Sequence, residues 1–242
     1  MFKRLYAPLL CITFMGLSAP VALAESVVDL ALDSTSPPSS PLEATPTLEA
    51  LLNTPDMREP INPAAYDAAR MGQAILHATN LMRAKHKLPL FFHSPALEKA
   101  AYDHSKAMSK HNFFSHTSVI KGSEKMSQRL AKVGITNAYS AENIAQASAL
   151  NYTSGKPVYS PKTNGGYFSY EYKGTPLKPR TYADAARKVV KQWMDSPGHR
   201  RNILNPRLKY LGAGLSLFEK KSFYNMLYFN ATQNFSSKKG SL

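Results

Sequence analysis

Apolar residues recur every three or four positions in four stretches between about residues 64 and 195. Near the C-terminus they change to alternation and short runs. Met71, Ile75, Ala78 and Met82 share one helical face. Asn62-Pro63 offers an N-cap followed by a first-turn proline, so a helix is expected from there to about Lys85. Ser94-Pro95 repeats that opening ahead of Leu97, Ala101, His104 and Met108. Gly122-Ser123 opens a third stripe through Met126, Leu130 and Val133, and Gly134 closes it. Thr181 with Asp184 resembles a capping box with Asp in place of Glu. It starts a fourth helix through Ala186, Val189, Val190 and Trp193, ended by Asp195-Ser196-Pro197-Gly198. "AYSAENIAQAS", "YLGAGLSLF" and "FYNMLYFNATQNF" read as strands, the last two joined as a hairpin through "EKKS". Helices first and paired strands last predict an α+β class.

The N-terminal quarter has a different composition. Residues 1–24 read as a signal peptide: a basic start, a mostly apolar run broken by Pro8 and Pro20, and Ala22-Leu23-Ala24 before Glu25. A membrane anchor would need about 20 unbroken apolar residues. Cys11, the only cysteine, falls in this segment behind Leu10, where a lipid-anchor site would want a small residue. The rest of the chain therefore has no thiol chemistry and no disulfide. Residues 25–63 are rich in Ser, Thr, Pro and Ala and carry seven acids against Arg58, a composition expected to stay disordered as an acidic leader. Residues 64–242 are expected to form one domain, interrupted at about 151–179 by a Tyr-, Gly- and Pro-rich hairpin or flap.

Charge narrows the partners. Residues 64–242 hold nine acids against 27 Lys and Arg, a formal net charge of +18. Such a field favours an anionic envelope component or lipid. The basic residues are scattered and no nucleic-acid motif accompanies them, so no specific nucleic acid is expected.

Four motifs in order resemble the CAP superfamily (cysteine-rich secretory protein, antigen 5 and pathogenesis-related 1; also called SCP domains), and its bacterial branch in particular. They are "NLMRAKHKLPLFFHSPALEKAAYDHSKAMSKHNFFSH", "AENIA", "VVKQWMDSPGHRRNIL" and "LGAGL" with "ATQNF". The resemblance implies a three-layer α-β-α sandwich around a central antiparallel sheet, with a cleft that gathers two histidines and two glutamates. By residue the match is partial. His116 corresponds to the first histidine. Glu142 corresponds to the glutamate of the Gly-Glu-Asn segment, with Ala141 replacing the glycine. The second glutamate position is Ser196, and no histidine stands beside Thr232-Gln233. His199, in "SPGH", is the bacterial branch's own feature. The resemblance thus suggests a cleft of His116, Glu142 and His199 with Gln233 nearby, the first three suiting zinc with an open fourth position.

Plainer roles stand beside these. His199 could bond the free carbonyls of the helix that ends before it, His116 could be a packed histidine, and Trp193 is expected in the core. His104 is the histidine best placed for the core, while His77, His86, His93 and His111 carry no spacing that suggests chemistry. Glu142 would be costly to bury unpaired, so a cationic, metal or backbone partner is expected. No G-x-S-x-G, H-E-x-x-H or P-loop motif is present, and Ser115 or Ser196 has no support as a nucleophile. The expected function is an exported protein, periplasmic or extracellular, that binds an anionic or lipidic ligand through a His/Glu cleft. The alternatives are a metal-dependent or His/Glu-assisted hydrolase of envelope polymers or peptides, and a non-catalytic interaction module that meets a protein partner through the insert.

Overall fold

The first element among the described residues lies inside the stretch whose composition marks it as a leader. The computed structural model describes residues 44–241; the signal segment 1–24 and residues 25–43 lie outside them. Helix α1 (Ala44–Leu51) buries Leu48, and the chain after it buries Leu52, Met57 and Ile61. Ile61 N donates to Arg180 O (2.8 Å) and Ala183 N donates to Met57 O (2.9 Å). The boundary at residue 63 is therefore corrected, and the folded domain includes residues 44–63. Four apolar side chains spaced through a polar stretch were enough to hold it against the domain.

Asn62 does cap, but it opens only a single 3-10 turn (Pro63–Ala65). The long helix α2 (Ala68–Lys85) begins later, where Asp67 accepts from Arg70 N (2.9 Å). Strand β1 (Phe92–His93) leads into α3 (Pro95–Lys110), with Ser94 as N-cap and Pro95 at the first turn. Helix α4 is short (Met126–Ala131). Strand β2 (Ser140–Ser148) precedes the insert, and α5 (Tyr182–Asp195) follows it with Thr181 capping Asp184 N (3.0 Å). The expected stop at Ser196-Pro197-Gly198 is also a start. Pro197 occupies the first turn of a separate helix α6 (Pro197–Ile203), so His199 is helical. Strands β3 (Tyr210–Lys220) and β4 (Met226–Ser236) complete the chain. "FYN", read as strand, instead forms the turn between them.

The sheet order is β1-β3-β4-β2. The β3–β4 and β2–β4 pairs are antiparallel, and only the two-residue edge strand β1 runs parallel to β3. Side chains alternate along β4. Asn230 and Thr232 meet Ser109 and Ser105 of α3, while Gln233 meets Thr79 of α2. The main core fills the α2/α5 side, where Trp193, Ile75, Leu215, Phe229 and Phe235 are fully buried. The α3 side is tighter and more polar. A Cβ on Gly212 would lie 2.0 Å from Glu98 N, and one on Gly214 2.4 Å from Tyr102 Cα. These glycines let α3 lie directly on β3.

The insert shows one isolated bridge, Tyr159 to Ser169, where a hairpin ladder was expected, and a second bridge, Leu150 to Pro179, closes its base. Asn164 is fully buried within it and donates Nδ2 to Ser169 Oγ (2.8 Å).

Candidate functional site

Glu142 enters the α3 face of the sheet from β2, with only 3% of its side chain exposed. Both oxygens are taken. Arg129 of α4 donates Nη2 to Oε2 (2.7 Å), and His116 Nδ1 stands 2.9 Å from Oε1. His104 of α3 lies 4.0 Å from Oε1 and has its Nε2 on Ser115 O (3.0 Å). Asn234, the cross-strand partner of Glu142, donates its amide to Oε2 (3.1 Å) when oriented to satisfy both neighbours. Arg129 also braces the loop that carries His116. It donates to His116 O (3.2 Å), Ser123 O (3.1 Å) and Glu124 O (3.0 Å). The cationic partner expected of a buried Glu142 is thus Arg129, one of three site residues that the motifs did not mark. The others are His104, read only as core, and Asn234.

Burial pushes the Glu142 carboxyl up, but the His116 hydrogen bond and the Arg129 and His104 charges outweigh it, and its pKa lies below the usual value. Burial lowers the His104 pKa, helped by Arg129 and His116 and opposed by Glu142 and the Ser115 carbonyl.

The predicted quartet separates. His116, with 53% of its side chain exposed, and Glu142 line one open pocket of about 360 Å³ together with Thr117, Lys125 and Met126. Gln233 does not join them. It pairs with Asn143, one residue beyond Glu142, so it points through the opposite face of the sheet to Thr79 Oγ1 (2.7 Å). A residue beside a conspicuous motif was off by one in a period of two.

His199 sits in the first turn of α6, half-buried, and its ring makes no hydrogen bond to the described residues. The latch at this break is its backbone. Asn143 Nδ2 donates to His199 O (3.2 Å) and to Gln233 Oε1 (3.2 Å), and Asn202 Nδ2 donates to Asn143 Oδ1 (2.8 Å). Burial, then the nearby charge of His116, lowers the His199 pKa. Zinc is not favoured by this donor set. The carboxylate it would need is already held by a guanidinium. Among the described residues, no three His, Cys, Asp or Glu side chains are grouped to hold a metal ion.

A second pocket, about 280 Å³, opens beyond Met126 between α4 and β2. Leu130, Ile135 and Ala138 give it an apolar side. Lys125 and Met126 start α4, so one short helix separates a cation-rimmed pocket from a partly apolar one.

This fold and these motifs place the chain in a known family. The cysteine-rich secretory protein (CAP) family matches residues 76–159 and 138–235, together more than half of the chain, and the chain belongs to it. Relatives include the uncharacterized membrane protein YlbC of Bacillus subtilis, 28% identical over 58% of this chain and 30% of its own length. Another is the uncharacterized protein YkwD of the same organism, 28% identical over 64% of this chain and 44% of its own. The chain thus spans less than half of either relative. Among solved structures, an extracellular SCP-domain protein of Bacillus anthracis is 27% identical. The match covers 74% of this chain and 45% of that one, with a TM-score of 0.47.

Proposed function

We propose that this CAP domain is an exported binding protein for an anionic amphiphile. The observation that carries the reading is the pair of pockets sharing Met126. In one, Lys125 and the exposed ring of His116 face an anionic group while Arg129 neutralises Glu142. In the other, Leu130, Ile135 and Ala138 receive an apolar chain. The formal charge of +18 over residues 64–242 supports the same ligand class by steering. Export rests on the signal-like residues 1–24. Among the described residues, no helix is long and apolar enough to cross a membrane.

Calorimetric titration tests the reading with dodecyl phosphate as probe, against inorganic phosphate and dodecanol. Dodecyl phosphate should bind at least ten times more tightly than either, and both His116→Ala and Lys125→Gln should weaken it, Lys125→Gln without lowering the melting temperature. Equal affinity for inorganic phosphate would remove the apolar half of the proposal.

A second reading has one specific support. His116 holds Nδ1 on a carboxylate, which is how a general-base histidine is oriented with Nε2 free. Ser115 is poorly placed to be its nucleophile, because Ser115 Oγ accepts from Thr117 N (3.0 Å) in a local turn. Release of alcohol from an ester probe, lost in both His116→Ala and Glu142→Gln, would establish hydrolysis in place of binding.

A further inference from the structure

Tyr224 is an aromatic residue where the backbone favours asparagine or glycine. It stands at the tip of the β3–β4 turn with φ 52° and ψ 35°, followed by Asn225 at φ 61°. A bulky side chain rarely adopts the left-handed region. The ring does not compensate by packing, for the residue is 63% exposed. Nothing inside the fold asks for an aromatic there.

The ring belongs to one of two aromatic clusters on the β3–β4 turn and the insert. Tyr224 touches Phe223 (ring centroids 6.3 Å), which stacks on Phe168 of the insert at 6.3 Å and meets Tyr152 at 5.5 Å. In the second cluster Tyr159 meets Tyr172 at 5.7 Å. Tyr159 is 44% exposed and Tyr172 59%. Lysines lie among the rings. Lys156 Nζ is 4.0 Å from the centre of Tyr170, and Lys173 Nζ is 5.4 Å from that of Tyr172. Lys220 and Lys221 lead into the turn. Glu171 is the single acid between residues 151 and 179.

We infer that the 151–179 loop and the β3–β4 turn form a docking surface for an anionic lipid bilayer. Tyrosine rings settle at the headgroup level with one edge apolar and the hydroxyl wet. Lysines beside them gain from the negative surface potential of such a bilayer. A sugar-stacking surface would also use exposed rings, but it needs acceptors aimed at hydroxyl groups. The groups over the rings here are ammonium groups, Lys156 on Tyr170 and Lys173 on Tyr172. None of these residues lines the pocket of His116, so this surface and the pocket fail or stand separately.

The test is partition of the chain from Glu25 onward, without the signal-like residues 1–24, onto vesicles of equal phosphatidylglycerol and phosphatidylcholine, with pure phosphatidylcholine as reference. The parent should prefer the anionic vesicles and lose that preference in high salt. Tyr159→Ser, Tyr172→Ser and Tyr224→Asn combined should weaken partition at least tenfold. Lys156→Gln with Lys173→Gln should remove much of the salt-dependent part. Tyr224→Asn alone supplies the control for folding, because it should raise the melting temperature while lowering partition; a structural role would move both downwards. Equal partition onto the two vesicle types, or a triple-tyrosine variant that partitions like the parent, overturns the inference. So does loss of binding to an uncharged glucan with vesicle partition intact, which would assign the rings to sugars.

Discussion

Arg129 Nη2 lies 2.7 Å from Glu142 Oε2, and both side chains are withdrawn from water, 5% and 3% exposed. Breaking such a pair from one side strands a buried charge. Arg129→Met should lower stability by about 3–5 kcal/mol. Adding Glu142→Leu should recover much of that loss, since no charge is then left unpaired. Urea denaturation of the parent, both single variants and the double variant measures the coupling.

Acid should act in two stages. His77 is held to about 4 by burial and the neighbouring His93, and burial also lowers His104. Both are kept neutral by the fold. Their contribution is full above the unfolded value of about 6.5 and is lost as pH falls below it, for His77 down to about 4. Glu142 is depressed below the ordinary carboxylate value, so its contribution holds above about 4.3 and is lost only at lower pH. Melting temperatures between pH 8 and pH 3 should therefore fall first below about 6.5. His77→Gln should flatten that first stage and leave the second.

Gly212 should be the least replaceable glycine of the sheet. A Cβ there meets the backbone of Leu97 and Glu98, which cannot turn aside. Gly212→Ala should cost about 1–3 kcal/mol or more through overpacking. Gly198→Ala, whose nearest contact is the Arg201 guanidinium at 3.9 Å, should be close to neutral. Paired thermal melts compare the two.

Asn143 ties the α6 backbone to β2. Asn143→Ala should cost about 1–3 kcal/mol by leaving Gln233 and Asn202 short of a partner. It should also make His199 react faster with an imidazole-modifying reagent, read by mass spectrometry, with His116 changed less.

The helical stripes and caps were legible because Ser94, Thr181 and the three- and four-residue spacings act locally. Trp193 and His104 were placed in the core by that spacing alone. The helix after Ser196 was missed because Pro197 looks the same ending one helix as beginning the next. Residues 44–63 were misread because composition averages over a stretch in which a few apolar side chains do the packing. In the site, the motifs supplied His116 and Glu142. Arg129 could have been suspected, since a buried carboxylate demands a cation, but its distance in sequence hides which of 27 basic residues answers. Gln233 failed on strand alternation, which the pairing register alone reveals.

Arg83 is fully buried with its guanidinium 3.9 Å from the centre of the Phe91 ring. It donates to Pro89 O (2.6 Å), Ile203 O (2.7 Å) and Asn205 O (3.1 Å), so one side chain of α2 clasps the C-terminal end of α6. The amides of that clasped turn should exchange with deuterium only when the whole domain opens. The loop bearing His116 is clasped in the same way, by buried Arg129 on the carbonyls of His116, Ser123 and Glu124. Residues 44–241 hold no cysteine, and two buried guanidiniums do the work of cross-links, one at the end of α6 and one at the loop of His116.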